Sequence, residues 1–153
     1  MLQKSLIFFI LLFVAASCTK DVTEYDTIDK KIIEDYLKAN NLTAQSTASG
    51  LYYIIENPGG TVHPNINSYV KANYKGYLVD GTVFDESYTS GKPTDFPIAG
   101  VIEGWQEGLQ LIGLNGKIKL LVPSALGYGS TVKTKIPANS VLIFEIELVE
   151  IYQ

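Results

Sequence analysis

Val101-Ile102-Glu103-Gly104-Trp105-Gln106-Glu107-Gly108 holds the only tryptophan of this chain. The indole follows two branched aliphatics and stands between two glycines. A helix built for stability alone avoids both glycines, since each costs about 1 kcal/mol against alanine. Glycines at these places imply that something passes close to the indole. The segment Ile102 to Ile112 is predicted as a helix, with Trp105, Leu109 and Ile112 on one face.

Outward from this helix the period of the sequence is two. Tyr69 to Val79 alternates Tyr69, Lys71, Asn73, Lys75 and Tyr77 against Val70, Ala72, Tyr74, Gly76 and Leu78, which predicts a long strand. Asp80-Gly81 is a hairpin dipeptide, and Thr82-Val83-Phe84 begins the return strand. Ser87 to Thr94 reads as a polar loop. Upstream, Leu51 to Ile55 is a strand closed by Asn57-Pro58-Gly59-Gly60. Downstream, Lys117 to Val122 is a strand ending at Pro123, Ser124 to Ser140 is a long irregular loop, and Val141 to Tyr152 is the closing strand. Loops of that length inside a compact domain are often functional. The expected fold is α+β: an antiparallel curved β-sheet of about five strands wrapped around one short α-helix, preceded by an N-terminal helix.

That first helix is read from Ile28, Ile32, Ile33, Tyr36 and Leu37, which recur at helical spacing among Lys30, Lys31, Glu34, Asp35 and Lys38. Asp26 or Thr27 is the expected cap and Asn40-Asn41 the stop. Its apolar stripe must pack on the following domain or on a second copy of the chain. Leu42 to Gly50, rich in Thr, Ser, Ala and Gln, reads as linker.

Residues 1–17 have the layout of a secretory signal: Lys4 near the start, an uncharged apolar run from Leu6 to Ala16, then small residues. The run is too short to span a bilayer comfortably. Cys18 follows directly, as in the lipobox of bacterial lipoproteins, where cysteine becomes the lipidated first residue. Ala15 stands where that pattern usually has leucine, and an ordinary cleaved signal with a leftover thiol is the alternative. The division expected is 1–17 signal, 18–47 tether with a short amphipathic helix, and 48–153 the folded domain.

Composition excludes several chemistries. The chain has 153 residues and net charge −4, with apolar content of 46%. All its cations are lysine, so the planar guanidinium fork that grips phosphates and base edges is missing and no nucleic-acid partner is expected. Cys18 is the only cysteine, which excludes an internal disulfide. His63 is the only histidine and reads as surface loop, so no zinc site can be assembled. Neither a phosphate loop nor a nucleophile elbow is present. Glu103 and Glu107 read as a solvated helix face. The chain is rich instead in aromatics near turns: Tyr74, Phe84, Phe96, Trp105, Tyr128 and Phe144, with Asp85 beside Phe84.

These residues stand in blocks with a known pattern. Tyr74 to Ser87, read Tyr74-Lys75-Gly76-Tyr77-Leu78-Val79-Asp80-Gly81-Thr82-Val83-Phe84-Asp85-Glu86-Ser87, resembles the Y-x-G-x-L-x-x-G-x-x-F-D-x-S block of FKBP-type peptidyl-prolyl cis-trans isomerases. Val101 to Leu109 is similar to that family's V-I-x-G-W-x-E-G-L. Pro123 through Tyr128-Gly129 resembles its P-x-x-x-x-Y-G, and Ile136-Pro137-Ala138-Asn139 through Leu148 resembles its last strand. The blocks come in order over about residues 48–153.

The resemblance implies an isomerase acting on proline-containing polypeptides without a cofactor or metal. It implies that Tyr74, Phe84, Asp85, Val101, Ile102, Trp105, Tyr128, Ile136 and Phe144 line a proline pocket, with Phe96 in its wall. Trp105 would be the floor, the Tyr128 hydroxyl would bond one substrate carbonyl and the Ile102 N–H another; Phe84, Asp85, Trp105 and Tyr128 would carry the acceleration. Departures from the pattern are Thr94 where an aromatic is usual, Ser90 near the place of a cation, and a flap, Ser130 to Lys135, with two lysines and no glycine. A non-catalytic module holding proline peptides in the same pocket is the competing function. A monomer on a membrane lipid tether in the bacterial cell envelope is expected; dimerisation through the first helix is the alternative.

Overall fold

The computed structural model describes residues 24–152; the signal reading of 1–17 and the lipidation reading of Cys18 fall outside the described residues. In chain order the elements are α1 (Glu24–Ala39), β1 (Gln45–Ser46), β2 (Tyr52–Asn57), β3 (Tyr69–Leu78), β4 (Val83–Glu86), β5 (Thr94–Pro97), α2 (Glu103–Leu109), β6 (Lys117–Val122) and β7 (Leu142–Tyr152). Short 3-10 turns occupy Tyr88–Ser90, Ile98–Gly100 and Ser124–Leu126. All strand pairs are antiparallel, in the order β1-β2-β6-β7-β3-β4, and β5 also pairs with β3.

The alternation in β3 does what its pattern dictates. Val70, Ala72 and Tyr74 turn into the core, while Tyr69 stays exposed. One edge of β3 pairs with β7 along its whole length. Its other edge is shared end to end, by β5 at Tyr69 to Ala72 and by β4 at Lys75 to Tyr77. The hairpin between β3 and β4 turns on Gly81, whose φ of +88° glycine adopts without Cβ strain. Thr82 N–H donates to the Asp80 carboxylate at 2.9 Å and fixes the same turn.

The sheet has seven strands where about five were expected, and two short ones account for the difference. β1 lies in the stretch read as linker and spans two residues, and β5 follows the polar loop and spans four. Neither is long enough to show an alternation. α2 is also shorter than its sequence pattern, ending at Leu109. Asp26 and Thr27, expected as a cap, lie inside α1, because the helix already includes Glu24.

The glycines around Trp105 have a structural partner. A Cβ on Gly104 would stand 2.6 Å from Val122 Cγ1, and one on Gly108 would stand 2.6 Å from Leu120 Cδ1. The close neighbour implied by the sequence is therefore strand β6, on which α2 lies almost backbone to side chain. This contact fixes how far Trp105 projects beyond the sheet.

The end of β6 from Leu120 to Val122 is buried on both sides. Ile118, Leu120 and Val122 join the main core with Trp105, Leu109, Ile112, Phe144, Ile146 and Leu148. Leu121 points the other way and packs with Ile33 of α1 and Val141; Ile32, Tyr36, Leu37 and Tyr52 flank them. The apolar stripe of α1 thus covers the back of its own sheet. Further along that face the strands carry ion pairs, Lys117 with Glu147 at 3.3 Å and Lys119 with Glu145 at 3.2 Å. The more exposed pair, Lys117 with Glu147, contributes about 1 kcal/mol or less.

Candidate active site

The tip of α2, the middle of β3, the start of β4 and the loop after β6 converge on one cavity of about 560 Å³. Its lining includes every residue singled out for the pocket in the sequence: Tyr74 and Phe84 on adjoining strands, Asp85 next to Phe84, Phe96 from β5, Val101 and Ile102 ahead of α2, Trp105, and then Tyr128, Ile136 and Phe144. Gly100, Lys133 and Thr134 also line it. The first two strands of the site approach closely because β3 has glycine at position 76. A Cβ there would stand 2.5 Å from the Phe84 ring and 2.8 Å from the Phe144 ring.

Trp105 forms the floor and is nearly fully buried. Its ring meets Tyr74, Phe96 and Phe144 edge-on, each at a centroid distance of 5.3 Å. Phe84 meets Phe144 at 5.5 Å and Tyr74 meets Phe96 at 5.6 Å in the same manner. Edge-to-face pairs set the positive rim of one ring against the negative face of another, worth about 0.5–1.5 kcal/mol each beyond burial. The Trp105 Nε1–H is buried and has no hydrogen-bond partner among the described residues.

Polar groups are few. The Tyr74 hydroxyl donates to the Asp85 carboxylate at 2.8 Å. Burial, reinforced by this bond, pushes the Tyr74 phenol above its ordinary pKa, so it stays neutral. The Tyr128 hydroxyl makes no hydrogen bond among the described residues, and the Lys133 ammonium stands 5.4 Å over the Tyr128 ring. The Ile102 N–H, ahead of the first helical residue, is likewise unbonded among the described residues, while its carbonyl accepts from Trp105 N–H at 2.9 Å. Gln106 braces this entry by donating from its side-chain amide to the Val101 carbonyl at 2.7 Å.

The flap is a tight hairpin. Lys133 and Ile136 exchange two backbone hydrogen bonds of 3.0 Å, and Lys135 takes the left-handed conformation with φ of +64°. A lysine there does what glycine does elsewhere, at the cost of local strain. Lys133 was legible as part of an unusual flap, but its place in the lining follows from the Lys133–Ile136 pairing. Gly100 enters the lining through the 3-10 turn ahead of Val101. His63 lies outside the cavity, exposed, with Nδ1 3.0 Å from the Gln110 carbonyl oxygen. Glu107 accepts a hydrogen bond from Ser49 Oγ at 2.5 Å, and Glu103 is exposed. Among the described residues no cluster of His, Cys, Asp and Glu could hold a metal ion.

Comparison with known proteins gives a consistent picture. Residues 60–149 match the family model of FKBP-type peptidyl-prolyl cis-trans isomerases. The chain is 43% identical over 136 residues to FKBP-type peptidyl-prolyl cis-trans isomerase FkpA of Aeromonas hydrophila, covering 87% of this chain and 51% of that protein. The crystal structure of FkpA from Escherichia coli superposes with a TM-score of 0.75 at 40% identity, covering 87% of this chain and 62% of that one. That of AtFKBP13 gives 0.63 at 33% identity, covering 71% of this chain and 98% of that one. The chain spans about half the length of the curated FkpA relatives it matches over most of its own length.

Proposed function

The chain belongs to the FKBP-type peptidyl-prolyl cis-trans isomerase family, and on that premise we propose that it accelerates rotation about Xaa-Pro bonds in polypeptides held over Trp105. The observation that carries this reading is the aromatic box around Trp105, with the Tyr128 hydroxyl and the Ile102 N–H left unbonded among the described residues.

Rotation about a peptide C–N bond faces a barrier of about 18–20 kcal/mol, set by resonance. Prolyl bonds populate both isomers but interconvert over tens to hundreds of seconds. The planar amide is the more polar state, and water favours it. An apolar box removes that solvation and holds the ring in a shape that suits the twisted bond, so binding is stronger in the transition state. Each tenfold in rate needs about 1.4 kcal/mol. One neutral hydrogen bond nets only about 0.5–1.5 kcal/mol, so Tyr128 supplies part of the effect and shape with desolvation supplies the rest.

In this reading the pyrrolidine ring rests on Trp105 between Tyr74, Phe84 and Phe144. The Tyr128 hydroxyl and the Ile102 N–H each bond a substrate carbonyl. Asp85 holds Tyr74 and sets a negative charge where the carbonyl carbon of a twisted amide, deprived of resonance, becomes more positive. No proton is transferred and no cofactor takes part. A protease-coupled assay of the purified chain on Xaa-Pro peptides tests the proposal: the slow cis phase shortens in proportion to enzyme. A peptide that binds, seen in Trp105 fluorescence, while the slow phase stays at its uncatalysed rate would establish the binding-module reading instead.

The N-terminal sequence supports a place for this activity. Lys4, the apolar run to Ala16 and Cys18 support export and lipidation at Cys18, with the module held as a monomer on the membrane surface of the bacterial envelope, where it assists folding of extracytoplasmic proteins. Incorporation of labelled fatty acid into the chain, lost on Cys18→Ser, is the expected result.

A further inference from the structure

α1 carries one carboxylate on its buried face. Asp29, Ile33 and Tyr36 fall at i, i+4 and i+7, so the acid shares the apolar stripe. Asp29 is 1% exposed, and its Oδ2 accepts two hydrogen bonds from a residue 95 positions away: the Ser124 backbone N–H at 2.7 Å and the Ser124 hydroxyl at 2.6 Å. Its second oxygen, Oδ1, is buried without a partner among the described residues. Among the described residues no lysine forms an ion pair with it, and these two bonds are the partners the described residues give this buried acid. Asp29 and Ser124 hold each other strongly, because leaving such bonds unmade is expensive in a low dielectric.

Ser124 is the node of the loop that bears Tyr128. Its carbonyl accepts from Gly127 N–H at 3.0 Å and from Gly129 N–H at 2.8 Å, the residues on either side of Tyr128. Gly129 is in the left-handed conformation, φ +54°, and its own carbonyl accepts from Asn139 N–H at 2.8 Å, at the far end of the loop. A continuous chain of bonds therefore runs from α1, through Ser124, to the backbone on both sides of the tyrosine that lines the cavity.

We propose that Asp29 is a positioning residue for Tyr128, and that α1 is a working part of the isomerase module. The carboxylate fixes Ser124, Ser124 fixes the turn, and the turn sets where the Tyr128 hydroxyl stands in the cavity that Trp105 also lines. This rests on the isomerase reading for its kinetic arm and on the hydrogen-bond chain alone for its structural arm.

The test is a double-mutant cycle on the full chain, joined to amide hydrogen exchange. Asp29→Ala lowers kcat/KM about tenfold in the wild-type background, by misplacing a bond worth about that factor in rate. In a Tyr128→Phe background the same change has less than about a twofold effect, because the group it positions is already gone. Equal losses in the two backgrounds, or no loss in either, would overturn the proposal. Asp29→Asn, which keeps the shape and one acceptor, gives an intermediate loss with the same dependence on Tyr128 and serves if the alanine variant does not fold. Amide exchange at Gly127 and Gly129 becomes at least about tenfold faster in Asp29→Asn, while amides of β7 are unchanged. Unchanged exchange at both glycines overturns the proposal even if the chain is no isomerase; a wild type without rate enhancement would sink the isomerase reading alone.

Discussion

Tyr74 Oη lies 2.8 Å from Asp85 Oδ2, so one wall of the aromatic box is pinned by a hydrogen bond to a charged group. The donor comes from β3 and the acceptor from β4, whose pairing is irregular between Gly76 and Tyr77. That shift lets the carboxylate reach back toward the ring two positions earlier. We expect Tyr74→Phe to cost about 1 kcal/mol of stability. We expect Asp85→Ala to lower kcat/KM by about tenfold and Tyr74→Phe to lower it by less, with the two effects on rate less than additive because they break the same pair. Kinetics of the two single variants and the double variant check this.

The same pair gives a pH signature. Burial, then the bond to Asp85, raises the Tyr74 pKa above its unfolded value near 10. A group whose pKa is raised on folding contributes stability that is fully present below the unfolded value and is lost as pH climbs through the folded one. Urea midpoints of the wild type and Tyr74→Phe should therefore stay apart up to about pH 10 and converge as the pH rises above it, with the wild type losing the advantage. Across about pH 6 to 9 we expect kcat/KM to stay flat, because no step moves a proton.

Substituting the helix glycines should run against helix propensity. Alanine at an exposed helix site gains about 1 kcal/mol over glycine. At Gly104 the new Cβ meets Val122 Cγ1 at 2.6 Å, and valine cannot turn away because its branched Cβ is stiff. We expect Gly104→Ala to destabilise by about 1–3 kcal/mol, as overpacked cores do. Gly108→Ala meets the end of the longer Leu120 side chain and should cost less. Thermal unfolding of the two variants measures the difference.

The alternation of β3 and the apolar runs of β6 and β7 were readable, because a pattern of six or more residues shows its period. The lining aromatics were legible only through the family resemblance of the blocks that hold them. The two glycines mark a close approach in the sequence, but their partners Val122 and Leu120 lie on another element and only the helix–sheet approach brings them together. β5 was hidden for a similar reason: four residues become a strand only because the near end of β3 offers them an open edge. Asp29 left a trace, an acid on an apolar stripe, but its donor Ser124 is fixed by tertiary structure.

Trp105 is the residue whose loss should separate binding from folding. Removing an indole outright costs about 3–5 kcal/mol, a large part of the about 5–15 kcal/mol that holds a domain together. Trp105→Leu keeps much of the volume while removing the flat floor and its edge contacts with Tyr74, Phe96 and Phe144. We expect this variant to fold, judged by far-UV circular dichroism, and to bind a proline peptide at least about tenfold more weakly.

Equilibrium exchange spectroscopy by NMR tests the central claim most directly, since it reads cis-trans interconversion of an Xaa-Pro peptide without a coupled protease. With the wild-type chain present we predict exchange cross-peaks on the sub-second scale, against an uncatalysed time of tens to hundreds of seconds. Tyr128→Phe should retain exchange within about tenfold of the wild type, because one neutral hydrogen bond supplies no more than that. Peptide signals broadened by binding with no exchange between isomers would contradict the claim that this aromatic box lowers the barrier.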